Sequence, residues 1–210
     1  MSVSVALATR SKDKAREIRQ ILSSVPGLRL FSLDDLGIAP SAEEDELEEA
    51  NTFAEIATAK ARYYVTRTGM IALADDSGLE VDALDGRPGV RTKRFSGRSD
   101  LSGLALDQAN NEKLLEELHG VPPAQRTARY VCAAALALPN GPVVTAVGTC
   151  EGRIAEVPVG HGGFGYDPIF FLPDLGLTMA QVSAGQKNSR SHRGRAFRAL
   201  IPHLTRIANP

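Results

Sequence analysis

One nine-residue stretch restricts the fold more than any other: Ala74-Asp75-Asp76-Ser77-Gly78-Leu79-Glu80-Val81-Asp82. An apolar run, Met70-Ile71-Ala72-Leu73-Ala74, leads straight into two adjacent carboxylates. The pattern predicts a buried strand that ends in a polar loop, followed by a second short alternating run. Carboxylates at the tip of a buried strand require a compensating cation. Strand side chains alternate faces, so Asp75 and Asp76 point opposite ways, one toward a cleft and one held by the scaffold. A hard divalent ion such as Mg²⁺, bound through one or two carboxylates plus phosphate oxygens, fits that arrangement. A plain strand-to-turn corner, with Ser77 capping a turn, accounts for the same residues, and both readings stand at this level.

The remaining composition narrows the class. A chain of 210 residues supports one sizeable domain, or two small lobes sharing a core. The formal charge of −1 argues against a protein that coats nucleic acid, since such proteins carry a strong basic excess. The two cysteines, Cys132 and Cys150, lie in apolar runs with no CxxC and no Cys/His cluster. That disfavours structural zinc and points to a reducing compartment. No basic leader precedes the first short apolar run, and no apolar run approaches a membrane span. The expectation is a cytoplasmic protein with neither a membrane nor a nucleic acid as partner.

In chain order, Val3 to Ala8 reads as a buried strand and Thr9-Arg10-Ser11-Lys12-Asp13-Lys14 as a basic loop. A helix follows, with Ser11 as N-cap and Ala15, Ile18, Ile21 and Leu22 at helical spacing. A helix start beside Arg10, Lys12 and Lys14 suits phosphate, although a solvated first turn with surface lysines has the same composition. Leu28 to Leu33 reads as a second strand. The acidic run from Glu43 to Glu49 reads as a solvated loop. Thr52-Phe53-Ala54-Glu55 has the capping-box pattern, so a helix carrying Lys60 starts near Thr52.

Leu104 to Leu118 is helical in pattern, stopped by Gly120 and Pro122-Pro123. Pro139-Asn140-Gly141-Pro142 between two apolar runs predicts a hairpin, so the sheet is mixed. Gly160 to Gly165 holds four glycines in six residues, followed by Tyr166-Asp167-Pro168. This suits close backbone approach to a flat ligand, with Phe164 or Tyr166 stacking a base. The alternative is a glycine-rich turn before a strand. Ser183 to Leu204 reads as a basic loop running into a final helix. No P-loop is present, so a Walker-type NTPase is disfavoured. Paired carboxylates, dispersed basic groups and a glycine/aromatic loop together indicate a nucleotide-processing enzyme with an oxygen-ligated metal.

Several stretches, taken as a set, carry a family resemblance. They are Leu7 to Lys14, Thr52 to Glu55 with Lys60-Ala61, Ala74 to Leu79, Gly86-Arg87-Pro88-Gly89, Gly162 to Pro168 and Ser191-His192-Arg193-Gly194. The chain resembles the inosine/xanthosine triphosphate pyrophosphatase family over nearly its whole length. The resemblance implies Mg²⁺-dependent hydrolysis of ITP, dITP and XTP to monophosphate and pyrophosphate, which cleanses the nucleotide pool. It implies an α/β fold with an elongated mixed β-sheet flanked by helices, two lobes and a central nucleotide cleft. One pyrophosphatase domain then spans 1–210 with no separable linker, and the chain forms a homodimer.

Residue by residue, the resemblance makes Thr9, Arg10, Ser11, Lys12, Asp13 and Lys14 the triphosphate loop. Asp76 becomes the metal-linked general base, Glu48 the second metal-site acid and Lys60 a phosphate contact. Lys14 and Lys60 act with Asp76 in catalysis. Ser77, Phe164, Gly165, Tyr166, Asp167, Lys187, His192 and Arg193 become the nucleotide pocket that selects a 6-keto purine. The first loop departs from the family's usual ATGN, with Arg10 in place of glycine and Ser11 in place of asparagine. Ile56 replaces an asparagine, and Arg91 stands where tyrosine is common. Glu48 is chosen by its distance from Thr52-Phe53, and Glu44, Glu46 and Glu49 remain candidates. Two rival readings are a pyrophosphatase for other modified nucleotides and a catalytically lapsed nucleotide- or nucleic-acid-binding module.

Overall fold

The computed structural model describes residues 2–209. The fold is a mixed sheet flanked by helices. Its strands are β1 (Val3–Leu7), β2 (Leu28–Ser32), β3 (Ile71–Val81), β4 (Pro88–Gly89), β5 (Thr127–Ala137), β6 (Val143–Ile154), β7 (Phe170–Leu172) and β8 (Leu177–Thr178). Their order is β2-β1-β3-β5-β6-β7-β8, with β4 paired to β3. β1 runs parallel to β2 and β3, whereas β7 is antiparallel to β6 and β8. The helices are α1 (Lys12–Ile21), α2 (Glu43–Glu46), α3 (Phe53–Thr68), α4 (Gly103–Glu117), α5 (Ala184–Arg190) and α6 (His192–Ala208).

The described residues group into two compact units. The first comprises 1–76, 132–148 and 191–210; the second comprises 77–131 and 149–190. In the first unit, Val5, Leu7, Leu73, Ala134 and Leu136 from the strands pack with Ile18 and Leu22 and with Phe197, Leu200 and Leu204. α6 lies so close to β6 that a Cβ on Gly148 would stand 2.3 Å from the His192 carbonyl oxygen. Only glycine leaves room there. α3 packs on β1 and buries Phe53, Ile56, Ala57, Ala61 and Tyr64. In the second unit, Leu79, Val81, Leu114, Leu118, Tyr130, Ile154 and Phe170 form the core.

Three local expectations change. β3 does not stop at the carboxylates but runs through them to Val81. β5 lies alongside β3, and β4 pairs with it again at Leu79 and Glu80, so backbone pairing carries the strand across its polar stretch. The acidic run is not wholly loop, because Glu43–Glu46 forms one helical turn. The basic tail is helical from Ala184, and Ser191 starts α6 by accepting from the Gly194 amide at 3.0 Å. The Asn-Gly hairpin joins β5 and β6, with Asn140 at φ 54°.

Candidate active site

The first unit holds a charged group built on strand alternation. Asp75 shares a strand face with Leu73, which packs with α1 and α6 residues in the core. Those helices bring up two cations. Lys14 Nζ lies 3.1 Å from Asp75 Oδ2, and Arg193 Nε and Nη2 each lie 3.2 Å from the same oxygen. Arg193 Nη1 reaches Glu17 Oε2 at 2.6 Å. Arg193 is 1% exposed, so this pairing is interior. Burial pushes the Asp75 carboxyl up, but Lys14 and Arg193 outweigh it and hold it below the usual carboxylate range. The nearby Cys132 thiol, 3.9 Å from Asp75, is pushed up by burial and then by that charge, which keeps it unreactive.

Asp76 takes the opposite face, with Ala72 and Ala74, and meets α3. Lys60 Nζ stands 3.0 Å from Asp76 Oδ1 and 3.0 Å from Glu48 Oε1. Burial dominates at Asp76 and raises its carboxyl, with Lys60 and Lys14 pulling it down and Asp75 adding to the rise. At Lys60 burial works against the charge, yet Asp76 and Glu48 together raise it. A buried carboxyl that holds its proton more tightly than usual is a better base than a surface aspartate.

The acidic run is sorted by its partners. Glu43 accepts from Tyr63 at 2.9 Å, and Glu44 pairs with Arg10. Glu48 shares the Lys60 ammonium with Asp76. This donor set fits a hard cation: two carboxylates already converge on one positive charge. Among the described residues no group of three or more His, Cys, Asp or Glu forms a cage. Mg²⁺ is held in that sparse way, with water and phosphate oxygens completing its shell.

The loop from Thr9 into α1 is ordered by its own hydroxyls. The Ser11 amide donates to Thr9 Oγ1 at 3.2 Å, and Ser11 Oγ caps α1 by accepting from the Lys14 amide at 3.3 Å. Lys12 is exposed, and Asp13 pairs with Arg16 at 2.6 Å. The Arg10 guanidinium bonds to Glu44 and to the Ile38 and Ala39 carbonyls.

The second unit holds a different group. Asp167, 2% exposed, accepts from Lys187 Nζ at 2.6 Å and the Phe164 amide at 2.9 Å through Oδ2. Its Oδ1 accepts from the Tyr130 hydroxyl at 3.3 Å. Lys187 Nζ lies over the Phe164 ring, 4.4 Å from its centre. Phe164 is half-buried, whereas Tyr166 is buried and its hydroxyl donates to the Thr92 carbonyl at 2.8 Å. Of the two aromatics, only Phe164 has a face to offer. Gly163 makes room for the protein itself, since a Cβ there, at φ 75°, would stand 1.9 Å from Asp167 Oδ2, whereas a Cβ on Gly165 would meet nothing within 4 Å. Ser77 is partly exposed, while His192 is buried at the start of α6 beside Arg193 in the first unit.

Three contributors lie outside the sequence prediction. Asp107 Oδ2 accepts from the Gly165 amide at 2.8 Å, and Asn111 Nδ2 donates to the Gly165 carbonyl at 3.1 Å. Together they clamp the residue next to Phe164. Their signal was present as polar residues on the i, i+4, i+7, i+11 face that continues into Leu114 and Leu118. Glu17 sits likewise on the inward face of α1, one residue before Ile18.

The comparisons with known proteins agree in extent. A dITP/XTP pyrophosphatase of Geobacter sulfurreducens is 48% identical over 200 residues, covering 95% of this chain and 96% of that one. A second dITP/XTP pyrophosphatase, from Nitratidesulfovibrio vulgaris, is 48% identical over 199 residues, covering 94% of this chain and 93% of the relative. The solved structure of a HAM1 protein from Coxiella burnetii superposes with a TM-score of 0.83 at 34% identity, covering 97% of this chain and 99% of that one. The model of the Ham1 family matches residues 5–203, from the middle of β1 to the last turns of α6, and this chain belongs to that family.

Proposed function

We propose that this chain hydrolyses dITP, XTP and ITP to the nucleoside monophosphate and pyrophosphate, removing deaminated purines from the nucleotide pool. The observation that carries the reading is Asp76, a carboxyl made more basic by burial and held 3.0 Å from a lysine that also holds Glu48. In the proposed reaction Asp76 takes a proton from water as the water oxygen bonds to the α-phosphorus. The bond from that phosphorus to the bridging oxygen breaks, and the electron pair leaves with pyrophosphate. Lys14 and Lys60 offset the negative charge that shifts during attack. Thr9, Ser11, Lys12 and the α1 N-terminus face the phosphates. Glu48 and Asp76 would hold Mg²⁺, which when bound polarises phosphate oxygens and lowers the pKa of water.

The base is assigned to the second unit's group. Phe164 stacks on the purine. Lys187, fixed by Asp167, presents donors and no acceptor. A 6-keto oxygen accepts from such donors, while the 6-amino group of ATP leaves them unpaired in a desolvated site. The reading also takes the chain as a cytoplasmic homodimer of one domain, with the two buried free cysteines consistent with a reducing compartment.

The test is product identification with purified protein, Mg²⁺ and ITP, XTP, dITP, GTP and ATP, with pyrophosphate and orthophosphate assayed separately. Pyrophosphate from ITP, XTP and dITP, with little from ATP, is the expected result. Orthophosphate as the primary product would overturn attack at the α-phosphorus. Gly163→Ala probes the base group, because the added methyl collides with Asp167 and displaces it from Lys187. KM for dITP should rise about tenfold or more, equivalent to ~1.4 kcal/mol of binding, with kcat less affected. An unchanged KM in a folded variant would remove Asp167 from base recognition.

A further inference from the structure

Arg10 was expected on the substrate, and its geometry points to another role. Its Nε and Nη2 grip Glu44 at 3.0 and 2.6 Å, a two-point fork. Nη1 donates to the Ile38 carbonyl at 2.6 Å and Nη2 to the Ala39 carbonyl at 2.9 Å. Glu44 also accepts from the Ser41 amide at 3.3 Å. Tyr64 borders the group, and burial first and Glu44 second push its hydroxyl up. Tyr64 is 3% exposed, so this corner of the cluster is inside the protein.

Three segments meet at this cluster, and each also supplies a member of the charged site. Arg10 stands in the loop that leads to Lys14. Glu44 stands one turn ahead of Glu48, and Tyr64 stands one turn after Lys60 on α3. We propose that Arg10 and Glu44 are positioning residues, a latch that ties the acidic 38–49 segment to the phosphate loop and so sets Glu48 against Lys60 and Asp76. The inference rests on the proposed role of Glu48 and Asp76 in holding a divalent cation. A forked guanidinium on a carboxylate fixes direction as well as distance, which a lysine at the same place does not do. α2 is one turn long and buries none of its residues, so the segment is held through side chains: Glu43 by Tyr63 and Arg67 at its start, and Glu44 by the Arg10 fork nearer Glu48.

The test uses the full chain carrying Arg10→Ala, Arg10→Lys or Glu44→Gln, with two readouts other than turnover. The first is Mn²⁺ binding to the protein without nucleotide, followed by the EPR signal of the free ion. The second is the rate of cutting by a glutamate-specific protease after Glu46, Glu48 or Glu49, sites that every variant keeps. Arg10→Ala should weaken Mn²⁺ binding about tenfold, as loss of a group supporting a metal ligand commonly does, and should speed cutting in that segment. Glu44→Gln and Arg10→Lys should fall between it and the unmodified protein. Arg10→Ala/Glu44→Gln should be no worse than Arg10→Ala alone, because one contact is lost in both. Unchanged Mn²⁺ affinity and unchanged cutting, with weaker nucleotide binding, would overturn the latch and return Arg10 to the phosphates. If the unmodified protein binds no Mn²⁺ or turns over no dITP, the metal-site or functional reading fails, and the protease rates alone decide whether the latch exists. An unfolded Arg10→Ala protein would leave the milder Glu44→Gln and Arg10→Lys to decide by the same two measures.

Discussion

Asp76→Asn is expected to lower kcat for dITP by about 10³-fold, within the range that a positioned general base supplies, while the protein stays folded. The change keeps the shape of the side chain and removes its ability to accept a proton. Asp76 is held in a setting that disfavours its charge, burial first. Neutralising it relieves the cost of burying that charge and weakens its 3.0 Å ion pair with Lys60, two effects of opposite sign on stability. Lys60 retains Glu48 at 3.0 Å, so no ammonium is left without a carboxylate. Thermal unfolding should show Tm unchanged or slightly raised, and KM should move far less than kcat. Near-normal turnover in the folded variant would show that the base is some other group. A large fall in Tm would show that Asp76 belongs to the scaffold.

Arg193→Met should have the largest effect on stability, a loss of about 3–5 kcal/mol, as is usual when one partner of a buried ion pair is removed. The guanidinium touches both Glu17 and Asp75, and both carboxylates are buried. Without it Asp75 keeps Lys14, but Glu17 loses its 2.6 Å contact. For a chain of this length the loss corresponds to a fall in Tm of roughly 10 °C. Glu17→Met/Arg193→Met should recover part of it, because the buried charge at Glu17 is removed together with its partner.

The same variant carries a pH signature. The Asp75 carboxyl is lowered in the folded protein, so its contribution to stability is complete above the ordinary unfolded value of about 3.9. That contribution is lost as pH falls through the lower folded value. Arg193 is one of the three cations that lower it, with Lys14 and Lys60. Arg193→Met therefore raises the folded value, and acid unfolding should begin at a higher pH than in the unmodified protein. An identical acid transition in the two proteins would show that the lysines hold Asp75 down without Arg193.

Much of the fold was legible because its signals are local. The capping box at Thr52 starts α3 with Thr52 Oγ1 accepting from the Glu55 amide at 3.2 Å. Ser11 caps α1, and Asn140-Gly141 turns the β5–β6 hairpin. The opposed directions of Asp75 and Asp76 followed from the two-residue period of a strand alone. The continuation of β3 to Val81 was hidden, because it depends on strands brought alongside from elsewhere in the chain. The glycine loop was legible only in part. Glycine was read as room for a ligand, whereas at Gly163 the room is taken by Asp167, four residues on.

The sequence by itself determined the family, the placing of two carboxylates on opposite faces of one strand, and the candidate residues proposed for a nucleotide. Only the tertiary structure decided the duties within those sets. It gave Glu48 to Lys60 and Asp76, and Glu43 and Glu44 to other partners. It committed Arg10 to Glu44, sealed Arg193 between Glu17 and Asp75, and left Phe164 rather than Tyr166 with a face to offer. The physical reason is that pattern and spacing report which way a side chain leaves its own element. The partner it meets there comes from another element, at a distance along the chain that no local pattern encodes.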